Sequence, residues 1–284
     1  MSKIYTLDDY QKAGNELYEI LHLVSYPVAI RYIKDLSEVP PGVKKPSDQG
    51  NQMAPCQIIT QSRRWSEKWV ITQEDNFCTP SSITHGWVPV SSEDFIESQI
   101  RQKWQKRQKD LAAQKQKAAK DYEENLKKAM APGFIGMMTS PLAESPFIPH
   151  SVLVMGSGIQ MTYIIHALNY EKKKEYKLSS SFVGFAETCL KGALRPYLYD
   201  KPEFVLPGTG DRSFCGIQDW EVGMGLPAEA VFYVLENLFA TGRGQGLKFP
   251  LRQVIPRLHE KITPGFIFMR DIIDKTLKKE KESS

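Results

Sequence analysis

The chain has 284 residues and 41% hydrophobic content, enough to bury a substantial core as one large domain or two modest ones. Its net charge of +4 does not describe a basic surface, because residues 101–128 hold ten Lys/Arg against four Asp/Glu, a local excess of six that exceeds the total. No apolar run approaches the roughly twenty residues that a bilayer-spanning helix needs, which excludes such a span.

The N-terminus runs directly into Thr6-Leu7-Asp8-Asp9, where a Thr cap and two early acids announce a helix rather than a signal peptide. A cytoplasmic protein is expected, and its four cysteines are then expected to be reduced thiols. Tyr10, Leu17, Ile20 and Leu21 fall at helical spacing up to Leu23, and Tyr26-Pro27 stops that pattern ahead of a strand from Val28 to Ile33. Residues 39–53 hold Pro40, Pro41, Gly42, Pro46 and Gly50 and read as a loop. Pro55-Cys56-Gln57 opens a helix, with proline where its missing N–H does no harm. Trp69 to Thr72 reads as a strand, and Cys78 precedes a short helix-compatible segment.

Residues 92–130 carry the strongest helical signal. Ser92-Glu93-Asp94 starts it, and Ile100, Trp104, Leu111, Ala118, Tyr122 and Leu126 trace a narrow apolar stripe through charged positions. This predicts a long, solvated helical insertion that packs one edge on the body or on a second subunit, giving a homo-oligomer. Nucleic acid is not the expected partner, because phosphate contacts need a broader basic face. Residues 131–149, with four prolines and two glycines, read as a connector and domain boundary. Ser151 to Met155 then reads as a buried strand, Gly156-Ser157-Gly158 as a turn and residues 159–168 as a helix. Further on, Tyr176-Lys177-Leu178-Ser179 looks strand-like and Phe204-Val205-Leu206 leads into the turn Gly208-Thr209-Gly210-Asp211-Arg212. Residues 227–240 form a helix with Pro227 in its first turn, and residues 275–284 fray.

The middle of the chain repeats loosely. Ile58-Ile59, the strand at Trp69 and Cys78 are matched in order by Ile164-Ile165, the strand-like Tyr176 segment and Cys189. The expected fold is therefore α+β, with two similar strand–helix lobes (residues 1–91 and 131–274) in one compact body. The charged insertion (92–130) separates them and a disordered tail (275–284) follows.

Chemistry then centres on the cysteines. Cys56, Cys78 and Cys189 could assemble a metal site across the fold, although their sequence gaps of 22 and 111 residues, with 26 more to Cys215, offer no local chelate. Alternatively they are buried thiols that behave as small hydrophobes, the reading favoured for Cys215. A third possibility makes Cys189 a nucleophile near a helix start, with Glu187 or His85 as base. His85 could equally be a capping residue or a ligand. Gly208, Gly210 and Arg212 could hold an anionic group, or Asp211 and Arg212 could close the turn as an ion pair. Neither this turn nor Gly156-Ser157-Gly158 matches a nucleotide-binding fingerprint.

Taken in order, Tyr26-Pro27-Val28-Ala29-Ile30, Cys56-Gln57, Cys78, Cys189 with Pro196, Gly208-Thr209-Gly210-Asp211-Arg212 and Glu221 to Pro227 resemble the uncharacterised ArCR-type family, domain of unknown function 169. The resemblance covers most of the chain outside the charged helix and the tail. One departure is that Cys78 is followed by Thr79-Pro80-Ser81-Ser82, where the family commonly has a glycine-rich stretch. The resemblance implies a bacterial or archaeal origin, often anaerobic, and no settled activity. The combined expectation is a cytosolic protein of prokaryotic anaerobic metabolism that binds a small anionic ligand or cofactor in a cysteine-lined cleft. An iron–sulfur cluster or a tetrapyrrole are the candidate cofactors. The alternative is a metal-free thiol enzyme with Cys189 as nucleophile.

Overall fold

The computed structural model describes residues 4–87, 133–170 and 187–244. The helix expected at 92–130, with the self-association expected of it, the strand at 176–179 and the tail at 275–284 all lie outside the described residues. Along the chain run α1 (Leu7–Ile20), β1 (Val28–Ile33), α2 (Pro55–Trp65), β2 (Trp69–Thr72), α3 (Thr79–Thr84), β3 (Gly136–Pro141), β4 (Ser151–Gly156) and α4 (Gly158–Asn169). Then come α5 (Glu187–Leu194), α6 (Arg195–Tyr199), β5 (Glu203–Val205), α7 (Thr209–Cys215), β6 (Val222–Pro227) and α8 (Ala230–Gly244). Local chemistry sets the early boundaries. Thr6 and Asp9 cap α1 reciprocally, Pro55 sits in the first turn of α2, and Ser66 at φ 57° ends it in the left-handed region.

The fold is α+β. Six strands form one antiparallel sheet in the order β2-β3-β1-β4-β6-β5, so β1 and β4 meet at the centre, where Ala29 faces Val152. Side chains alternate across it. Ala29 and Ile33 of β1 enter one apolar layer with α1, α4 and α8, whereas Val28, Ile30 and Tyr32 enter a second layer with α2, α5 and α7. Both faces are thus covered, which explains why β3 and β4 are buried along their whole length. Among the described residues no helix is long and apolar enough to cross a membrane.

Three sequence expectations are corrected here. The supposed connector at 131–149 contains β3, which pairs with β1 on one side and β2 on the other. Pro141 ends the strand, Pro146 and Pro149 follow it, and Met137 and Met138 bury against opposite layers. Pro227 does not open a helix; it ends β6, and α8 begins at Ala230. The isoleucine pairs taken as repeat markers do not correspond, because α2 packs on one face of the sheet and α4 on the other.

Helix α5 has wide, π-type turns and all eight of its residues are buried. It lies directly on the sheet: a Cβ at Gly225 would fall 2.6 Å from Gly192 O and 2.7 Å from Pro196 Cγ. Only glycine permits that approach. Ser151 Oγ donates to Ala193 O at 2.7 Å and fixes α5 lengthwise over β4.

Candidate functional site

The layer beneath α2, α5 and α7 contains the chemistry. Cys56, Cys189 and Cys215 are part of its core and the half-buried Cys78 packs against it; all four are free thiols. The Cys56 thiol has that of Cys215 as its strongest neighbour, and its pKa is pushed well above the ordinary thiol value, first by that neighbour and then by burial. Cys189 is driven in the same direction, first by burial and then by the nearby Asp211, Cys78 and Cys215. Among the described residues no three His, Cys, Asp or Glu side chains stand together as a metal-binding group. The thiols therefore share a neighbourhood without the convergence that a cluster of thiolate ligands requires.

Around Cys78 the backbone is held by a buried polar network. Asn76 Oδ1 accepts the Cys78 N–H at 2.9 Å, and its Nδ2 donates to Cys78 O, Ser81 Oγ and Ser82 Oγ at 3.1, 3.0 and 2.8 Å. This presets the first turn of α3, at whose end stands His85, 2% exposed. His85 Nδ1 lies 2.8 Å from Ser81 O, and since a carbonyl can only accept, Nδ1 carries the proton and Nε2 bears the lone pair. Burial lowers the His85 pKa from 6.5 to about 4 despite that bond, so the ring is neutral near pH 7.

His85 belongs to a cluster of rings centred on Tyr32 of β1. The Tyr32 ring lies 5.9 Å from His85, 5.4 Å from Phe134, 6.4 Å from His150 and 6.3 Å from Tyr197. His150 and Tyr197 stack at 4.2 Å, and Trp87 stacks on His85 at 4.9 Å. His150 Nδ1 accepts the Tyr32 N–H at 3.2 Å, and burial lowers its pKa to about 4 as well. Tyr32 Oη, His85 Nε2 and Trp87 Nε1 are buried and have no hydrogen-bond partner among the described residues. Burial, followed by the neighbouring Cys189, keeps the Tyr32 phenol protonated by raising its pKa well above 10.0.

Other residues singled out from the sequence are occupied differently. Glu187 pairs with Lys191 at 3.1 Å, both side chains being buried. Gly208 caps α7, and its N–H donates to Asp211 Oδ2 at 3.1 Å, so the protein's own carboxyl fills the place proposed for an anion. Gly210 lies within the first turn of this seven-residue helix. Arg212 turns away, donating to Gln218 O at 2.6 Å and approaching Asp219 at 3.8 Å, so it neither closes a pair with Asp211 nor faces the thiols. Asp211 itself is buried, which raises its pKa against the opposing bonds from Gly208 and Thr188. Tyr32, Asn76, His150 and Tyr197 were not picked out from the sequence. The available signal was period two in β1, which puts Tyr32 on the same face as Val28 and Ile30.

Together these features define an α+β protein with one doubly covered antiparallel sheet and a buried layer of thiols and polar rings on one face. The chain belongs to the uncharacterised ArCR family, domain of unknown function 169, whose model matches residues 16–237. It is similar to an uncharacterized protein of Methanocaldococcus jannaschii, with 22% identity over 233 residues that make up 82% of this chain and 94% of that one. No solved structure matches it.

Proposed function

We propose that this is a ligand-binding protein of prokaryotic anaerobic metabolism whose site is the ring and thiol layer around Tyr32. The ligand is a small flat ring system that donates one hydrogen to His85 Nε2 and accepts from Tyr32 Oη and Trp87 Nε1. The observation that carries this reading is those three polar atoms, unpartnered among the described residues and buried within one cluster of rings. A buried polar group left unsatisfied costs about 1–3 kcal/mol, so three in one place are an unusual expense unless something completes them. Neutral imidazole, protonated phenol and the self-filled Gly208 cap favour an uncharged ligand over the anion expected from the sequence.

An iron–sulfur cluster is not favoured, because no three ligands converge among the described residues. Of the candidate cofactors a metal-bearing tetrapyrrole is the better match: with Nδ1–H anchored on Ser81 O, His85 Nε2 would be the atom to hold its metal. The thiol-enzyme reading loses support from the same geometry, since the nucleophile would need a depressed pKa and its carboxylate partner Glu187 is engaged by Lys191. The test is native mass spectrometry with a visible spectrum on protein purified without oxygen. A co-purifying small molecule that is lost in His85→Phe and Tyr32→Phe supports the site. If no mass is retained, and no heteroaromatic compound stabilises the wild type more than His85→Phe, the reading fails.

We further infer an internal duplication, although not in the register expected from the sequence. Its support is the pairing of the strands. Matching Val28 to Ser151, Gly136 to Val222 and Trp69 to Glu203 carries Val28↔Pro141 onto Ser151↔Pro227, Ile33↔Gly136 onto Gly156↔Val222, and Trp69↔Thr139 onto Glu203↔Gly225. The central pairing maps onto itself, with Val28↔Leu153 exchanged for Ile30↔Ser151. Helix α2 lies over β1, β2 and β3 as α5 lies over β4, β5 and β6. Thr139 touches Ile58 O and Ser62, and its counterpart Gly225 meets Gly192 O and Pro196 at the same helical spacing. In this register the charged segment 92–130 falls between α3 and β3, where the second half needs only the short link from α7 to β6, consistent with an insertion.

A further inference from the structure

We propose that Cys56 and Cys215 are a disulfide-forming pair, a modification site independent of the ring ligand. Cys56 is the second residue of α2 and Cys215 the last of α7, and these two helices abut. Both side chains lie in the same apolar core, where Cys215 is the strongest single influence on the Cys56 thiol. The contact is braced next door, where Gln57 Nε2 donates to Phe214 O at 3.4 Å. Disulfide geometry demands Cβ atoms about 3.5–4.5 Å apart, and two cysteines on abutting helices, whose chain neighbours Gln57 and Phe214 are bonded across the contact, can reach that range without moving the sheet.

Both sulfurs are buried, but Cys215 closes a seven-residue helix that ends at Gly216 with φ 59°, beside Phe214, which is 62% exposed. Fraying of that last turn opens Cys215 to a small oxidant. The chemistry is exchange with a low-molecular-weight disulfide. The Cys215 sulfur attacks one reagent sulfur, the reagent S–S bond breaks, and one small thiol leaves with the Cys215 proton. Cys56 then attacks Cys215 Sγ, the mixed disulfide breaks, and a second small thiol leaves with the Cys56 proton. Two electrons pass from the protein to the reagent, and the product bond ties α2 of the first half of the sheet to α7 of the second. Because Cys56 must ionise from a raised pKa, closure is faster at alkaline than at neutral pH.

The full chain, purified reduced, is incubated with glutathione disulfide, quenched with an alkylating agent and mapped by peptide mass spectrometry. The expected result is a Cys56–Cys215 cross-linked peptide, loss of two of the four free thiols, and full reversal by dithiothreitol. Cys78→Ser keeps the cross-link and Cys215→Ser abolishes it. A Cys78–Cys189 cross-link in its place, or a wild-type protein carrying only stable glutathione adducts, overturns the proposal. The wild-type map decides even if a variant fails to fold.

Discussion

Replacing Glu221 by Gln should cost about 3–5 kcal/mol. Glu221 is fully buried at the start of β6, and its carboxylate accepts four hydrogen bonds: two from Arg63 at 2.6 and 3.1 Å, one from Arg64 at 2.9 Å and one from the Gln218 N–H at 2.8 Å. Arg63 is 1% exposed and also donates to Ser25 Oγ at 3.1 Å. The amide keeps one acceptor but turns its NH₂ toward a guanidinium, so Arg63 becomes a buried cation with no counter-charge. Removing one member of such a pair costs about 3–5 kcal/mol, a large share of the roughly 5–15 kcal/mol that holds most domains. The assay is urea unfolding followed by tryptophan fluorescence, with Arg63→Met/Glu221→Leu as the second variant, expected to recover most of the loss because neither charge remains. A loss below about 1 kcal/mol for Glu221→Gln would show that water reaches the pair and would refute the reasoning. Burial pushes the Glu221 pKa up, but the bonds and charges of Arg63, Gln218 and Arg64 outweigh it and hold the pKa below 4.5. Its contribution is therefore present above pH 4.5 and drains away as pH falls through the lower folded-state value.

His85 gives an acid sensitivity at higher pH: its pKa falls from 6.5 to about 4 on folding, which at about 1.4 kcal/mol per pH unit comes to about 3.5 kcal/mol. That stability is complete above pH 6.5 and is lost as pH drops toward 4, so urea midpoints should fall across this window and fall less in His85→Phe, which retains only the His150 share. Gly225→Ala forces a Cβ against Gly192 O and Pro196 and should lose about 1–3 kcal/mol or more by thermal unfolding. Gly158→Ala meets nothing within 4 Å and should be neutral or stabilising by up to about 1 kcal/mol, which serves as its control. Under native alkylation at neutral pH, the half-buried Cys78 should react before Cys56, Cys189 and Cys215; labelling of Cys189 first would restore the thiol-nucleophile reading.

Local signals were legible where the chain itself carries the information. The cap at Thr6, the proline at Pro55, the β-branched runs of β1 and β4, and the turn at Gly156 to Gly158 all led to the right elements. β3 was hidden because Gly136-Met137-Met138-Thr139-Ser140-Pro141 owes its strand to partners far away in sequence, not to alternation or propensity. Pro227 misled for a related reason, since proline is tolerated at a strand end as readily as in a first helical turn. At the candidate site, the sequence pointed to Cys56, Cys78, Cys189 and His85, which share a layer. It could not show that Gly208 is satisfied by Asp211 three residues on, or that Tyr32, Phe134, His150 and Tyr197 converge from separate segments.

The strand order also sets a schedule for synthesis. β1 finds its partners in β3 and β4, and β3 emerges roughly a hundred residues after β1 has left the ribosome, about 5–20 s at ordinary elongation rates. Throughout that interval Val28-Ala29-Ile30 is an apolar segment with two open edges and nothing to pair with. α1, the one helix made before it, covers a single face, so the other face stays open until α2 and the later strands are made.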